Sequence, residues 1–338
     1  MGLENNQLII SSTSKKPDML KKKKIFVVIP AYLCENSIAE VINRIPRFVF
    51  AIIVVDDASP DNQKNVIRKI MKSDKRIKLL SHQCNQGVGG ATMTGYKYAI
   101  KNGADYIVKM DGDGQMDPDY VIPLLDPLLK NKADYVKGNR YLYLRQISKM
   151  PLVRRIGNFS FSILAKMASG YWNIFDFTNG FTAINSKMIR HLDMSKINKR
   201  FFFETSLLIE LGLEKALVSD IYVPTIYKNE KSNLSEMDSF IRFPFLLFRA
   251  TLRRIFIQYI IRDFNVTTLF LITGILSTLF GLIFGLSHWW ISIRSGIPTT
   301  TGGVMVAFLP FFLGIQFLLQ FLILDINNAP IKPRISSD

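Results

Sequence analysis

The segment of this sequence best suited to chemistry is Asp111–Gln115, which closely follows an apolar run at 106–108. In an extended turn, Asp111 and Asp113 can approach one cation from the same side, and Gln115 can add a neutral oxygen. Such hard oxygen ligands suit Mg²⁺ or Mn²⁺ rather than zinc. A cation held at a strand end by few carboxylates is commonly shared with substrate phosphates. The same residues also fit a solvated Asp-Gly turn, so the neighbouring segments must decide.

Strands and helices are predicted to alternate over the first part of the chain. Continuous apolar runs at 25–30, 51–55, 77–80 and 106–108 are typical of buried parallel strands, and helical patterns lie between them. This alternation predicts an α/β fold with a mostly parallel, Rossmann-like sheet. Ligands of such sheets bind at the carboxyl ends of the strands, which is where Asp111–Gln115 is predicted to lie.

Two further polar segments are predicted at the same edge of the sheet. Asp56 and Asp57 follow the second strand, where carboxylates could bind a ribose or a base, although they could also cap the next helix. The glycines at 87, 89 and 90 open a helix and could bring backbone N–H groups close to a ligand. They are equally compatible with an ordinary turn.

The composition limits the kind of partner that we expect. The chain has 338 residues, 48% of them hydrophobic, and a formal net charge of +16. Many basic residues lie at 15–24 or among Phe, Leu and Ile at 242–262, a pattern that favours an anionic membrane surface over nucleic acid. Cys34 and Cys84 do not form a disulfide framework, which indicates a reducing cytosolic environment. The polar residues 1–24 are predicted to be a tail rather than a signal peptide.

The C-terminal part of the sequence predicts a membrane anchor. Residues 239–262 contain five arginines and no acidic residue, which is typical of an interfacial amphipathic helix. Residues 266–293 and 295–324 contain no Asp, Glu, Lys or Arg, and each exceeds the ~20 residues that span a bilayer. Positive charges flank both ends of this hairpin, which predicts a multi-pass protein of the plasma (inner) membrane with the catalytic domain and both termini in the cytoplasm.

As a set, four segments resemble the family 2 glycosyltransferases, specifically the polyprenyl-phosphate branch that includes dolichyl-phosphate mannose synthase. The segments are 28–32, 54–61, 85–95 and 111–115, and the resemblance covers about residues 25–235. It implies a GT-A fold, a nucleotide-sugar donor and Mg²⁺ or Mn²⁺. It assigns Pro30, Ala31, Tyr32 and Asp57 to the nucleotide, and Asp111, Asp113 and Gln115 to the metal and diphosphate. The family usually has Asn-Glu after the tyrosine, whereas Leu33 and Cys34 follow here, so the identity of the nucleotide stays open.

Later segments extend the resemblance towards the acceptor. Arg140 matches a candidate phosphate ligand but could be a surface charge, and Asp176 and Glu204 match acidic residues that face the reacting sugar but could begin helices. Lys228, Lys231 and Ser232 stand where many relatives carry an Arg…Gly-x-Ser motif; the serine matches and a lysine would supply the cation. Arg154 and Arg155 open an apolar helical pattern and could bind a lipid phosphate, or could be solvated on a core-facing helix.

These observations predict the following organisation: a basic tail at 1–24, a GT-A domain at 25–237, an interfacial helix at 238–264, a transmembrane hairpin at 265–326 with spans at about 266–290 and 302–324, and a cytoplasmic tail at 327–338. The predicted reaction moves a sugar from a nucleotide-sugar donor to a polyprenyl phosphate, with inversion. A phosphate monoester is largely ionised at neutral pH, so no strong general base is required.

Three alternatives are weighed beside this prediction. Transfer to a hydroxyl of a lipid-linked saccharide would need a base, which would make Glu204 indispensable. A nucleotidyltransferase should carry a Gly-rich loop with an arginine after the first strand, where this chain has Pro30–Tyr32. A non-catalytic membrane scaffold would not need Asp111–Gln115. A homo-oligomer is compatible with the two spans, and the sugar, the base and the lipid length stay open.

Overall fold

The computed structural model describes residues 20, 22–140, 152–224 and 236–335, without the side chains of 152–156, 158 and 236–242. The predicted N-terminal tail therefore lies almost entirely outside the described residues. The chain divides into two compact units. The first extends to Phe248 and includes the C-terminal residues from Pro330, and the second comprises Arg249–Ala329.

A seven-stranded sheet forms the centre of the first unit. Its strands are β1 (Ile25–Ala31), β2 (Ala51–Asp56), β3 (Ile77–Ser81), β4 (Tyr106–Lys109), β5 (Tyr135–Asn139), β6 (Thr182–Asn185) and β7 (Val218–Tyr222). Their order in the sheet is β3-β2-β1-β4-β6-β5-β7, and β6 is antiparallel to both of its neighbours while the other pairs are parallel. The predicted α/β fold with a mostly parallel sheet is confirmed.

Helices cover this sheet. They are α1 (Ile38–Arg44), α2 (Gln63–Ser73), α3 (Val88–Lys101), α4 (Val121–Leu129), α5 (Leu152–Ser169), α6 (Ser186–His191) and α7 (Phe203–Leu213). Every residue of β1, β2 and β4 is buried, as expected for strands that are covered on both faces. Gly95 of α3 permits close packing, because a Cβ there would lie 2.3 Å from Val28 Cγ1.

The strand register brings three loops to one edge of the sheet. Ala31 at the end of β1 pairs with Asp56 at the end of β2, and Val28 of β1 pairs with Lys109 at the end of β4. Because these strands are parallel, the segments that follow them leave the sheet on the same side. The predicted nucleotide and metal segments therefore lie together at the carboxyl edge.

Two long apolar helices dominate the second unit. Helix α8 (Glu236–Ile255) and a π-helical segment (Phe256–Arg262) lead into α9 (Val266–Ser295), which precedes α10 (Thr301–Asn327). Helices α9 and α10 have mean hydropathies of 2.3 and 2.2, and both are long and apolar enough to cross a membrane. They pack closely at glycines, since a Cβ at Gly314 would lie 2.3 Å from Thr278 Oγ1.

One arginine of the predicted interfacial helix has a different role from the one that the sequence suggested. Arg254 is 2% exposed and forms a bidentate ion pair with Asp325, at 2.8 and 2.9 Å. Tyr259 also donates a hydrogen bond to Asp325. Arg254 therefore stabilises the second unit internally instead of lying at the surface, whereas Arg249 is exposed. The interfacial location of 238–264 stays a prediction.

Candidate active site

A buried lysine joins two of the predicted site carboxylates. Lys109, the last residue of β4, places its Nζ atom 2.7 Å from Asp111 Oδ1 and 3.0 Å from Glu204 Oε1. Its side chain is 1% exposed. Burial alone would lower the pKa of Lys109, but the charges of Asp111 and Glu204 raise it above its ordinary value. The predicted metal ligand and the predicted acceptor-side acid therefore belong to one charged cluster.

Gly180 lies directly against this Lys109–Asp111–Glu204 cluster. A Cβ at Gly180 would lie 2.3 Å from Lys109 Nζ, 2.9 Å from Asp111 Oδ2 and 3.1 Å from Glu204 Oε1. The segment before β6 therefore lies so close to the Lys109, Asp111 and Glu204 side chains that position 180 has no room for a Cβ atom. Neither Lys109 nor Gly180 was predicted as a site residue. The sequence held a signal for Lys109, which is a single charge at the end of a buried strand.

The turn after β4 holds the predicted metal ligands. Asp113 Oδ1 accepts a hydrogen bond from the Gln115 backbone N–H at 2.9 Å, and the Gly112 carbonyl accepts one from Ser37 Oγ at 2.7 Å. Within the described residues, no group of three or more His, Cys, Asp or Glu side chains could enclose a metal ion. Two carboxylates and an amide oxygen on one turn instead fit a cation whose coordination is completed by substrate phosphates.

Hydrogen bonds join the loops that follow β1 and β2. The Leu33 N–H donates to Ser59 Oγ at 2.8 Å, and Asp57 N–H donates to the Ala31 carbonyl at 3.0 Å. The Tyr32 side chain remains 43% exposed at this edge. Glu35, which was not predicted, lies in the same loop and accepts a hydrogen bond from the Asn62 backbone at 3.1 Å. A carboxylate is therefore present one residue beyond the position where the family usually carries one.

Asp56 and Asp57 form contacts inside the protein. Asp57 is 2% exposed and accepts hydrogen bonds from the backbone N–H groups of Gln86 (2.9 Å) and Gly87 (2.7 Å), and it also contacts His82 Nδ1 at 2.7 Å. Asp56 is fully buried and accepts a hydrogen bond from Gln63 Nε2 at 2.6 Å. These contacts show that Asp57 holds the loop before α3. Its contact with a nucleotide stays a prediction.

The predicted glycine loop packs against the segment that precedes α7. A Cβ at Gly89 would lie 2.4 Å from the Asn198 carbonyl, and one at Gly87, whose φ is +86°, would lie 2.6 Å from the Lys199 carbonyl. The Gly90 N–H donates to that Lys199 carbonyl at 2.9 Å. Protein atoms therefore lie close to Gly87 and Gly89, and the N–H groups of Gly87 and Gly90 donate to the protein itself. The contact of Gly87 and Gly89 with a donor stays a prediction.

Arg140 and Asp176 bind each other. The Arg140 backbone N–H, Nε and Nη2 all donate to the Asp176 carboxylate, at 3.1, 2.8 and 2.8 Å. Asp176 is 1% exposed, whereas the Arg140 side chain is 30% exposed. Burial would raise the pKa of Asp176, but the Arg140 guanidinium outweighs it and lowers this pKa to about 2. Asp176 therefore positions Arg140, and the buried carboxylate does not face the carboxyl edge openly.

The remaining predicted acceptor residues cannot be compared with the structure. Lys228, Lys231 and Ser232 lie outside the described residues, and so do the side chains of Arg154 and Arg155, although the backbone of both arginines belongs to α5. Their contact with phosphates stays a prediction.

Comparison with known proteins identifies the family. Residues 26–193 match the description Glycosyl transferase family 2. The chain is 30% identical to a UDP-N-acetylglucosamine–dolichyl-phosphate N-acetylglucosaminyltransferase of Methanococcus voltae, over 61% of this chain and 86% of that protein. It is 27% identical to an undecaprenyl-phosphate mannosyltransferase of Micrococcus luteus, over 52% of this chain and 72% of that protein.

Solved structures show the same fold. The structure of glucosyl-3-phosphoglycerate synthase from Mycobacterium tuberculosis with Mn²⁺, UDP and phosphoglyceric acid superposes with a TM-score of 0.51. It is 18% identical and covers 70% of this chain and 80% of that one. The chain belongs to the family 2 glycosyltransferases and has a GT-A-like fold, as the family match, the relatives and the arrangement of the sheet show.

Proposed function

We propose that this protein transfers a sugar from a nucleotide-sugar donor to a polyprenyl phosphate at the cytoplasmic face of the membrane, with inversion at the anomeric carbon. The observation that carries the proposal is the Lys109–Asp111–Glu204 cluster, which joins the turn of predicted metal ligands to the acidic residue predicted for the acceptor side. Relatives that act on dolichyl and undecaprenyl phosphates support the choice of acceptor.

The chemistry follows from the nature of this acceptor. A phosphate monoester has a second pKa near ~6, so its oxygen is largely ionised at neutral pH and needs no deprotonation. That oxygen forms a bond to the anomeric carbon while the bond from this carbon to the nucleoside diphosphate breaks. Catalysis then depends on alignment and on stabilising the departing diphosphate. Glu204 would orient the sugar or the acceptor, and Arg140 would contact a phosphate.

A divalent cation, Mg²⁺ or Mn²⁺, would neutralise the charge of the departing diphosphate when it is bound. Asp111, Asp113 and Gln115 would hold it. The solved structural neighbour binds Mn²⁺ together with UDP, which supports this part of the proposal.

The residues from Pro330 onwards, which follow α10, belong to the same compact unit as the catalytic domain. The backbone N–H groups of Arg334 and Ile335 donate to the buried Asp134 carboxylate at 2.7 and 2.9 Å, and Arg334 also pairs with Glu214 at 2.7 Å. The chain therefore returns to the catalytic unit after α10. If α9 and α10 each cross the bilayer once, the residues before and after them lie on the same side. The flanking positive charges support a cytoplasmic location for that side.

The proposal is tested with purified protein in detergent, Mn²⁺ or Mg²⁺, and a panel of nucleotide sugars, with and without undecaprenyl phosphate. We expect a lipid-linked monophosphate sugar that requires the acceptor and is reduced at least ~100-fold by Asp113→Asn, because one cation ligand is lost. Asp119→Asn, which removes an exposed acid from the same region, serves as the matched control. Donor hydrolysis that is independent of the polyprenyl phosphate would contradict the proposed acceptor.

A further inference from the structure

Lys109 is an unusual residue for its place in the sheet. It belongs to β4, a central strand, where its backbone pairs with Val28 of β1 on one side and Thr182 of β6 on the other. A buried ammonium group is costly unless it is paired. Because the strand pairing fixes the backbone and the burial fixes the side chain, the charge of Lys109 has a defined position within the site.

The two oxygens of the Asp111 carboxylate have different neighbours. Oδ1 lies 2.7 Å from the Lys109 ammonium group, whereas Oδ2 lies on the side of Gly180. The same ammonium group holds Glu204 Oε1 at 3.0 Å. One positive charge therefore competes with a cation for one oxygen of Asp111, and at the same time it fixes the carboxylate on α7.

We propose that Lys109 is a positioning residue that ties the metal-binding turn to Glu204 and weakens the hold of Asp111 on the cation. This inference rests on the proposed function, because it assumes that the turn binds a cation with the donor diphosphate. A cation that is held less tightly can leave with the nucleoside diphosphate at the end of each turnover. The lysine thus lowers the affinity for the metal and, at the same time, aligns Asp111 with Glu204.

The inference predicts two effects of opposite sign, which a merely structural lysine would not produce. Lys109→Met removes the positive charge and keeps a similar volume. Mn²⁺ should then bind roughly tenfold more tightly in the presence of UDP, since a like charge has been removed from its ligand. Turnover at saturating substrates should fall at least ~10-fold, with little change in the KM for the donor, because Glu204 loses the contact that orients it.

Lys137→Met provides a matched control. Lys137 is likewise buried, on strand β5, which β6 separates from β4, but its ammonium group contacts the carbonyls of Asp176 and Gly138 instead of the Lys109 cluster. Its removal should change the stability of the fold and leave the affinity for Mn²⁺ unchanged. Because Lys109→Met leaves the buried Glu204 carboxylate without its cation, the double variant Lys109→Met/Glu204→Gln is measured beside it, and it should show the same tighter binding of Mn²⁺.

Binding of Mn²⁺ is followed by the loss of its free electron paramagnetic resonance signal during titration with protein and UDP, and turnover is followed by lipid-linked product. Tighter binding together with slower turnover supports the role of Lys109. Unchanged or weaker binding in both folded variants overturns it, as does unchanged turnover in Lys109→Met. If the wild-type protein forms no lipid-linked sugar, the proposed function fails, while the Mn²⁺ titrations still decide whether Lys109 restrains Asp111.

Discussion

Asp176→Asn distinguishes a positioning role for this residue from contact with the substrate. The change keeps the size of the side chain and removes the charge that pairs with Arg140 in a buried site. The pKa of Asp176 lies at about 2, below its ordinary 3.8. At about 1.4 kcal/mol per pH unit, this difference corresponds to roughly 2 kcal/mol of folding stability. For a domain of this size, we expect the midpoint of thermal unfolding to fall by ~4–8 °C.

The effect should depend on pH in one direction. The folded state lowers the pKa of Asp176, so the stabilising contribution is complete above pH 3.8 and is lost as the pH falls towards 2. The difference in midpoint between wild type and Asp176→Asn should therefore stay constant between about pH 5 and 8 and shrink below about pH 4.

The assay is thermal unfolding of the full chain in detergent, monitored by tryptophan fluorescence, for Asp176→Asn, Arg140→Gln and the double variant. The two single changes should not be additive, because they remove the same ion pair. Asp220→Asn is the matched control. Burial raises the pKa of Asp220, so neutralising this carboxylate should cost little stability.

Activity provides the result that would refute this reasoning. If Asp176→Asn unfolds within ~1 °C of wild type, the ion pair contributes no measurable stability. If it also loses ~100-fold in turnover, Asp176 contacts the substrate, as its resemblance to the family implies.

Two further changes test the packing around the site. Gly180→Ala places a methyl group 2.3 Å from Lys109 Nζ, so turnover should fall at least ~10-fold and stability by ~1–3 kcal/mol. The control Gly302→Ala meets no atom within 4 Å and should change neither turnover nor stability. Wild-type turnover in Gly180→Ala would contradict the described cluster. Asp134→Ala removes the acceptor that binds residues 334–335, so limited proteolysis should release the C-terminal peptide faster than from wild type, and an unchanged rate would show that this contact does not hold the tail.

The sequence predicted those strands whose burial is visible in their own residues. The apolar runs at 25–30, 51–55, 77–80 and 106–108 correspond to β1 to β4, because continuous hydrophobic runs report burial on both faces. The position of β6 was not predicted. This strand has only four residues, and it enters between β4 and β5 through pairing with residues distant in the chain. Such pairing leaves no periodic signal in the strand itself.

The predicted site was limited in a different way. The residue pattern predicted a role for Asp111, and the resemblance to the family predicted roles for Asp176 and Glu204, but a sequence does not report the direction of a side chain. Arg140 and Asp176 are 36 positions apart, and Lys109 and Glu204 are 95 apart, so neither pair could be predicted from spacing. Arg140 binds Asp176 and Lys109 binds Glu204, the two carboxylates that were predicted to face the reacting sugar.

Several polar residues at the carboxyl edge form hydrogen bonds inside the protein. Asp57 fixes the loop before α3 through Gln86 and Gly87, and Ser59 fixes the loop after β1. Ser37 fixes the turn that carries the predicted metal ligands through the Gly112 carbonyl. Each of these hydrogen bonds forms within the protein when it folds. The entropic cost of ordering the loops is therefore part of folding and does not reduce the free energy of substrate binding. In the proposed reaction, binding energy from the nucleotide and the acceptor can then serve alignment of the reacting atoms, which is the main requirement when the nucleophile is already ionised.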